Sequence, residues 1–306
     1  MSAHLAWSVY LWVPFTLLAA AAQVWRNALQ SGLTREIGTL GATQVRFVYG
    51  LPFAALFLAI YVLVSGEAVP ALTAGAVGWT ALGAVSQVGA TALMLEVMAR
   101  RDFGVAYAYI KTEPVTVALL GLVLLGDRLP PLGWIAVMVV TVGVVLASLR
   151  PADRAKKLVE VRPVIVGVLS GALFGLSAIA FRAGIEAVPQ GSFMMRSLEM
   201  LTVSLAIQVA LLLGWFAFRS AAPLAASARH WRISTAAGAL GALASAGWFV
   251  AFSLTIAANV RTLGLIEMPI VALVTRRVSG KWLSAREATG FTLITVGVAL
   301  LLLGHA

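Results

Sequence analysis

The sequence predicts an all-α integral membrane protein with ten transmembrane helices, arranged as two inverted five-helix repeats. The 306 residues are 61% hydrophobic and only 11% charged, with a mean hydropathy of +0.96, which leaves too much apolar surface for a water-soluble fold. Ten apolar segments are long enough to cross a bilayer. In addition, the second half of the chain repeats a pattern of the first half.

Each predicted span holds about 20 mostly apolar residues between charged residues or clusters of Gly and Pro. The most polar stretch of the chain, 150–161, separates five spans from five and is interpreted as a linker. It divides a first repeat, 1–149, from a second repeat, 162–306. In chain order the predicted spans are 7–29, 42–65, 75–98, 103–124, 131–149, 162–186, 192–217, 234–256, 260–278 and 286–304.

The repeat is clearest at the end of each half. Glu113, Gly126, Leu129 and Gly143 return as Glu267, Gly280, Leu283 and Gly297, each 154 positions later. Because each half has an odd number of spans, the second copy is expected to enter the membrane in the opposite orientation. Inverted repeats of this kind are typical of secondary transporters, whose substrate path lies between the halves.

Basic residues are concentrated in alternate connections between the spans. Fifteen Lys and Arg lie in connections 1–2, 3–4, 5–6, 7–8 and 9–10, whereas the other connections hold only Arg128 and Arg261. The positive-inside rule then predicts that the richly basic connections, including the linker, are cytoplasmic and that both termini lie outside. Dispersed basic residues of this kind explain the net charge of +10 without a nucleic-acid partner.

The residue types that carry most enzyme chemistry are scarce. The chain has no cysteine, and His4, His230 and His305 lie near span ends or termini, so neither a metal site nor a histidine base is predicted. The Gly-x4-Gly-Lys-Ser/Thr loop of nucleotide-binding proteins is also missing from the sequence. We therefore expect no enzymatic activity, no cofactor and no bound metal.

Span 4 offers a cation beside aromatic rings. On a helix Tyr107, Lys111 and Pro114 share one face. Lys111 and Tyr107 are therefore candidates to bind a substrate that has a carboxylate and an apolar or aromatic body. The alternative is structural: Lys111 pairs with an internal carboxylate, and Tyr107 anchors the helix at the membrane interface.

Glu113 and Glu267 occupy equivalent places, and each is followed within two residues by a proline, Pro114 or Pro269. A proline inside a span frees a backbone carbonyl and bends the helix. In a functional interpretation these four residues are coupling or hinge elements. In a structural one the two glutamates pair with Arg46 and Arg196 or accept hydrogen bonds from freed backbone donors.

Three further segments supply candidate cavity residues. Ser86 and Gln87 lie in a small-residue stretch of span 3 that recurs in span 8, where packing is one interpretation and a cavity wall the other. Arg46 in span 2 has a fork that suits a carboxylate, either of a substrate or of the protein. Trp248 belongs to an aromatic cluster in span 8 and is either lipid-facing or part of a cavity.

The motifs around the first repeat's end resemble a known family. Glu113-Pro114, then Gly126-Asp127-Arg128-Leu129, then Thr141-Val142-Gly143-Val144 resembles the drug/metabolite transporter superfamily, specifically its ten-span EamA type. The second copy departs from that pattern at Lys281, where the family commonly has Glu. The segments 109–114 and 267–269 look like the YddG branch of inner-membrane exporters of aromatic amino acids. The resemblance covers nearly the whole chain.

The resemblance implies a monomeric exporter in a bacterial-type inner membrane, with a central cavity made by spans 1, 3, 4, 6, 8 and 9. The expected cargo is a small amphipathic metabolite, first of all an aromatic or other neutral amino acid, moved by alternating access. The expected partners are this small molecule and the lipid bilayer. The alternatives are another cargo in the same fold, such as organic anions, nucleotide sugars or cationic drugs, and outside transport an intramembrane enzyme.

Overall fold

The computed structural model describes residues 9–100, 113–148, 161–269 and 284–304, and every regular element in these ranges is an α-helix. The helices are therefore held together by packing against one another. The eleven helices are α1 Trp12–Val48, α2 Gly50–Ser65, α3 Ala74–Arg100, α4 Glu113–Leu125, α5 Pro131–Ser148, α6 Val161–Glu186, α7 Phe193–Phe218, α8 Ala222–Arg229, α9 Trp231–Leu254, α10 Ala257–Gly264 and α11 Ala285–Leu303.

Among the described residues, six segments are long and apolar enough to cross a membrane: Leu40–Ser65, Pro131–Ser148, Ile165–Glu186, Phe193–Phe218, Trp231–Leu254 and Ala285–Leu303. They coincide with predicted spans 2, 5, 6, 7, 8 and 10, which confirms an all-helical, multi-pass membrane protein. Predicted span 3 lies within α3, which is 27 residues long, and predicted span 1 overlaps the 37-residue α1 from Trp12 onward. Spans 4 and 9 lie partly outside the described residues, so the count of ten and the inverted arrangement stay predictions.

The chain forms two compact units, and each takes segments from both halves of the sequence. The first unit comprises Met1–Tyr10, Ser86–Ile179 and Thr255–Ala306, and the second comprises Leu11–Val85 and Ala180–Leu254. The compact units are therefore a different division from the sequence repeats 1–149 and 162–306. Helices of the two repeats interleave within each unit, as expected if the repeats pack against each other and not as separate domains.

In the first unit, α5 and α11 approach each other at glycines. A Cβ added to Gly143 would lie 2.7 Å from the carbonyl oxygen of Gly290, and one added to Gly297 would lie 3.0 Å from the backbone nitrogen of Val140. Gly290 also faces Ala147, and Gly304 faces Leu132, so the two helices run antiparallel. The missing side chains allow this close approach of the backbones.

The contacts between α5 and α11 are symmetric under exchange of the two repeats. Gly143 contacts positions 290 and 294, and Gly297 contacts positions 136 and 140. Adding 154 to 143, 136 and 140 gives 297, 290 and 294. The equivalent segments of the two copies therefore pack on each other through equivalent positions, which is the packing expected of an inverted repeat.

The small-residue stretch of span 3 and its copy in span 8 also face neighbouring helices. In the second unit, a Cβ on Gly83 would lie 2.6 Å from the ring of Phe181, and one on Gly241 would lie 3.4 Å from Cδ of Arg26. In the first unit, Gly89 faces Leu173 at 3.6 Å. These contacts support the packing interpretation of the glycines.

Helix α1 differs from the sequence prediction, which placed a connection between residues 29 and 42. The helix runs through this connection and is interrupted only at Gly38, whose φ of 74° is accessible mainly to glycine. The continuation is held by packing, because Leu33, Ala42 and Val45 form a buried cluster with Ala237 of α9. Gln44 also donates a buried hydrogen bond to the hydroxyl of Ser227 in α8, at 2.7 Å.

A hydrogen-bonded cluster joins the α2–α3 connection to the start of α7 in the second unit. Ser192 is the N-cap of α7, and its hydroxyl accepts from the Met195 backbone at 3.2 Å and donates to the carboxylate of Glu67 at 2.7 Å. The Ser192 backbone N–H and the hydroxyl of Tyr61 also donate to Glu67. These donors lower the pKa of Glu67, with the Ser192 backbone N–H as the largest cause.

We expect the stabilising effect of Glu67 to depend on pH. Because its folded-state pKa is lowered, the stabilisation is present above the ordinary glutamate pKa and is lost as the pH falls through the folded value. Glu67→Gln should lower the unfolding temperature at neutral pH, and the difference from wild type should shrink at about pH 4. Thermal unfolding in detergent at both pH values measures this, with Glu186→Gln as a control. A pH-independent difference would contradict it.

We expect Gly143→Ala to destabilise the protein by about 1–3 kcal/mol, because its methyl group meets backbone atoms of α11 that have little room to move. Gly78→Ala is the matched control, since a Cβ at Gly78 in α3 meets nothing within 4 Å. Unfolding by a denaturing detergent compares the two variants. Equal effects at both positions would show that the close approach of α5 and α11 does not limit stability.

Candidate site in the first unit

The structure divides the sequence-predicted site residues between the two units. Six of them lie in the first unit, namely Ser86, Gln87, Glu113, Pro114, Glu267 and Pro269, and two lie in the second unit, Arg46 and Trp248. The predicted substrate-binding residues Tyr107 and Lys111 lie outside the described residues. The candidate site therefore consists of residues of the first unit.

A buried ion pair links α4 to α10. Nε of Arg261 lies 3.1 Å from Oε1 of Glu113, and their side chains are only 14% and 9% exposed. The two helices pack against each other, so the pair lies between segments of the first and second repeats. The structural alternative from the sequence paired the two glutamates with Arg46 and Arg196 or with freed backbone donors. For Glu113 the ion-pair partner among the described residues is Arg261.

A buried ion pair is a costly way to join two apolar helices. Desolvation of the two groups offsets most of their attraction, and well-packed apolar residues of similar volume often serve equally well or better. In membrane segments, ionisable residues mostly face an interior cavity and mark substrate or ion pathways. The Glu113–Arg261 pair is therefore better explained by function than by stability.

The helix that carries Arg261 breaks directly before Glu267. Helix α10 ends at Gly264, and the next backbone bonds are of the tighter i to i+3 type, Leu265 N–H to Thr262 O and Ile266 N–H to Leu263 O. Pro269 has no N–H to offer the carbonyl of Leu265, which instead accepts from Met268 N–H at 3.1 Å. The carbonyl of Leu265 is therefore not left free by Pro269, and the predicted bend stays a prediction.

Both repeat-related glutamates are buried in the first unit. Glu113 is 7% exposed and Glu267 is 6% exposed. Glu267 is the first residue after the turn at 265–266, and Pro114 is buried beside Glu113. The bend predicted at Pro114 involves residues before 113, which lie outside the described residues. Arg261, Glu113 and Glu267 thus place three ionisable groups around one broken helix.

The polar residues of α3 lie in the same unit. Ser86 is 5% exposed, and Gln87 is half-buried. One turn on, the Thr91 hydroxyl donates to the Gln87 carbonyl at 2.7 Å, and the Ser170 hydroxyl of α6 donates to the Ala90 carbonyl at 2.8 Å. These hydroxyls satisfy backbone acceptors, so this end of α3 is polar as well as closely packed.

In the second unit the two remaining candidates take different positions. The guanidinium carbon of Arg46 lies 4.7 Å from the ring centroid of Phe47, and its backbone borders Gly241. Trp248 is 7% exposed and therefore is not a lipid-facing residue. Arg26 also borders Gly241 and is 5% exposed.

Arg261 was not among the residues predicted to form the site. It lies six residues before Glu267, near the start of predicted span 9, and this nearness to a repeat-related glutamate was the local signal in the sequence. Its contact with Glu113 joins residues 148 positions apart, which no local pattern predicts.

Comparison with known proteins gives a fold but no activity. No family model and no curated protein matches the chain. One solved structure, described only as a crystal structure of protein, aligns with a TM-score of 0.68 over 97% of this chain and 98% of that one, at 16% sequence identity. At this identity the match shows a similar fold over the whole chain.

We expect Glu113 and Arg261 to be strongly coupled in stability. Replacing either residue alone, by Glu113→Leu or Arg261→Met, should cost about 3–5 kcal/mol because an uncompensated buried charge remains. The double variant should recover most of that loss, since both charges are then absent. Unfolding measurements on the four proteins form the test. Additive losses would show that the two side chains do not act as a pair.

Proposed function

We propose that this protein is a secondary transporter that exports small amphipathic metabolites, foremost aromatic and other neutral amino acids, by alternating access. The observation that carries the proposal is the buried Glu113–Arg261 pair beside a broken helix. Discontinuous helices near the middle of the membrane are where secondary transporters bind substrates and coupling ions. The exchange-symmetric packing of α5 and α11 is the second support, since such transporters are built from inverted repeats.

The chemistry of the pair favours a zwitterionic cargo. Arg261 presents a planar fork that suits a carboxylate, and Glu113 presents a carboxylate that suits an ammonium group. An amino acid carries one group of each kind, so it can replace both halves of the protein's own pair. An organic anion or a nucleotide sugar would match only Arg261 and would leave Glu113 as a buried repulsive charge.

The proposed preference for aromatic amino acids as cargo has a different basis. It comes from the resemblance of the motifs around Lys111 and Glu267 to the aromatic amino acid exporters, and from the aromatic Tyr107 in the same segment. By the same resemblance we place the protein in the EamA type of the drug/metabolite transporter superfamily, as a monomer in a bacterial-type inner membrane. The distribution of basic residues favours both termini outside.

The coupling role is assigned to Glu267, with Pro269 as part of the hinge. A buried carboxylate at a helix break can gain or lose a proton as the segment around it rearranges. Glu267→Gln removes that ionisation while preserving the shape of the side chain. If Glu267 is the proton carrier, this variant still exchanges labelled for unlabelled substrate but no longer responds to a pH gradient.

The test of the function is uptake of labelled phenylalanine into liposomes that contain only this purified protein. We expect uptake competed by tryptophan, and we expect Arg261→Gln to reduce it at least roughly 30-fold, because a buried carboxylate contact typically contributes 2 kcal/mol or more. Arg128→Gln, an exposed arginine between α4 and α5, is the matched control and should transport normally. Lys111→Met tests the cation that the sequence predicts to bind the substrate carboxylate.

Two outcomes would change the proposal. Uptake no greater than in protein-free liposomes for all amino acids would reject this cargo. Normal phenylalanine uptake by a folded Arg261→Gln variant would retain transport but remove Arg261 from cargo recognition.

A further inference from the structure

Two arginine–tryptophan pairs flank the connection between α7 and α9 in the second unit. The guanidinium carbon of Arg219 lies 5.1 Å from the ring centroid of Trp215, and that of Arg232 lies 5.5 Å from the ring centroid of Trp231. Trp215 and Trp231 are 53% and 58% exposed. Each pair therefore holds an arginine over an exposed aromatic ring at a helix end, in the cation–π arrangement.

Both pairs lie at the same end of the two membrane-spanning helices, because α7 ends at Phe218 and α9 begins at Trp231. The connection between them is ordered. Helix α8 is tied to α1 by the Gln44–Ser227 hydrogen bond, and the Ser234 hydroxyl of α9 donates to the Ser227 carbonyl at 3.0 Å. The ordered connection therefore holds Arg219 and Arg232 in fixed positions at this end of α7 and α9.

The charge of this edge is strongly one-sided. No Asp or Glu occurs in residues 200–260, whereas this stretch holds Arg219, Arg229 and Arg232. One carboxylate reaches it from another element: Glu36 of α1 lies 2.9 Å from Nδ1 of His230. Three arginines against one glutamate leave a net positive surface.

The same edge continues into a lipid-facing apolar surface. Phe218 is 91% exposed, and Leu211, which shares the face of α7 that carries Trp215 and Phe218, is 44% exposed. Here exposed aliphatic side chains of a spanning helix are followed by tryptophans and then by arginines. A spanning helix contacts the acyl chains, the interface and the headgroups in the same order.

We propose that this surface, defined by Trp215, Arg219, Trp231 and Arg232, binds the phosphate of anionic phospholipids. The guanidinium fork matches phosphate oxygens, and each ring fixes its arginine at the depth of the headgroup. The acyl chains would lie along Leu211 and Phe218. The net positive charge selects phosphatidylglycerol over zwitterionic phosphatidylcholine, whose choline would be repelled by the arginines.

The experiment is native mass spectrometry of the detergent-purified protein incubated with equal amounts of phosphatidylglycerol and phosphatidylcholine. Wild type should retain phosphatidylglycerol preferentially. Removing the two arginines by R219Q together with R232Q should lower that preference by roughly fivefold per arginine. The control R128Q changes one exposed arginine elsewhere and should keep the wild-type preference. Equal losses in both proteins, or no loss in either, would overturn the proposal.

Two measurements separate lipid binding from folding. Thermal unfolding in phosphatidylcholine nanodiscs should be the same for wild type and for R219Q/R232Q, because both side chains are exposed. In wild type alone, raised salt should weaken the preference for phosphatidylglycerol, since exposed charges are screened. A preference that does not respond to salt would count against the arginines as its source. None of these readouts depends on transport.

Discussion

The packing of this protein depends on how closely helix backbones approach one another at glycines. Gly143 of α5 and Gly290 of α11 are near enough that a methyl group on either would meet the other's carbonyl oxygen at 2.7 Å. In a bilayer, apolar side chains gain little by leaving the acyl chains, so contact across small residues holds spanning helices together. Large apolar residues are accordingly found outside, as with Leu63, Val64 and Phe218, which are 82–91% exposed.

In a bilayer, burying a charge costs free energy, and the protein places its charges in two different ways. At the start of α7, the carboxylate of Glu67 is partly exposed and receives hydrogen bonds from Ser192 and Tyr61. In the first unit, Glu113 and Arg261 are almost fully buried and contact each other. The first arrangement fastens a connection to a helix end. The second keeps two opposite charges in contact with each other and away from solvent.

Hydropathy alone predicted the six spans that the structure bears out, because lipid imposes a length and an apolar composition on any crossing helix. It failed between residues 29 and 42, where tertiary contacts of Leu33 and Val45 keep α1 helical and a single glycine supplies the break. It also missed Arg261, since a charged residue near the end of an apolar window resembles a connection residue. Its partner, Glu113, lies 148 positions earlier in the chain, and no local pattern reveals such a contact.

The two copies share their packing positions but differ in the residues around them. The glycines at 143 and 297 and the glutamates at 113 and 267 are equivalent in sequence. The segments around the two glutamates are not equivalent, because Glu113 is followed directly by Pro114, whereas Met268 separates Glu267 from Pro269. Glu113 begins helix α4 and contacts Arg261 of the second copy, whereas Glu267 follows a turn at residues 265–266. Sequence divergence has therefore changed the polar surroundings of the two glutamates while the glycine contacts of α5 and α11 stayed symmetric.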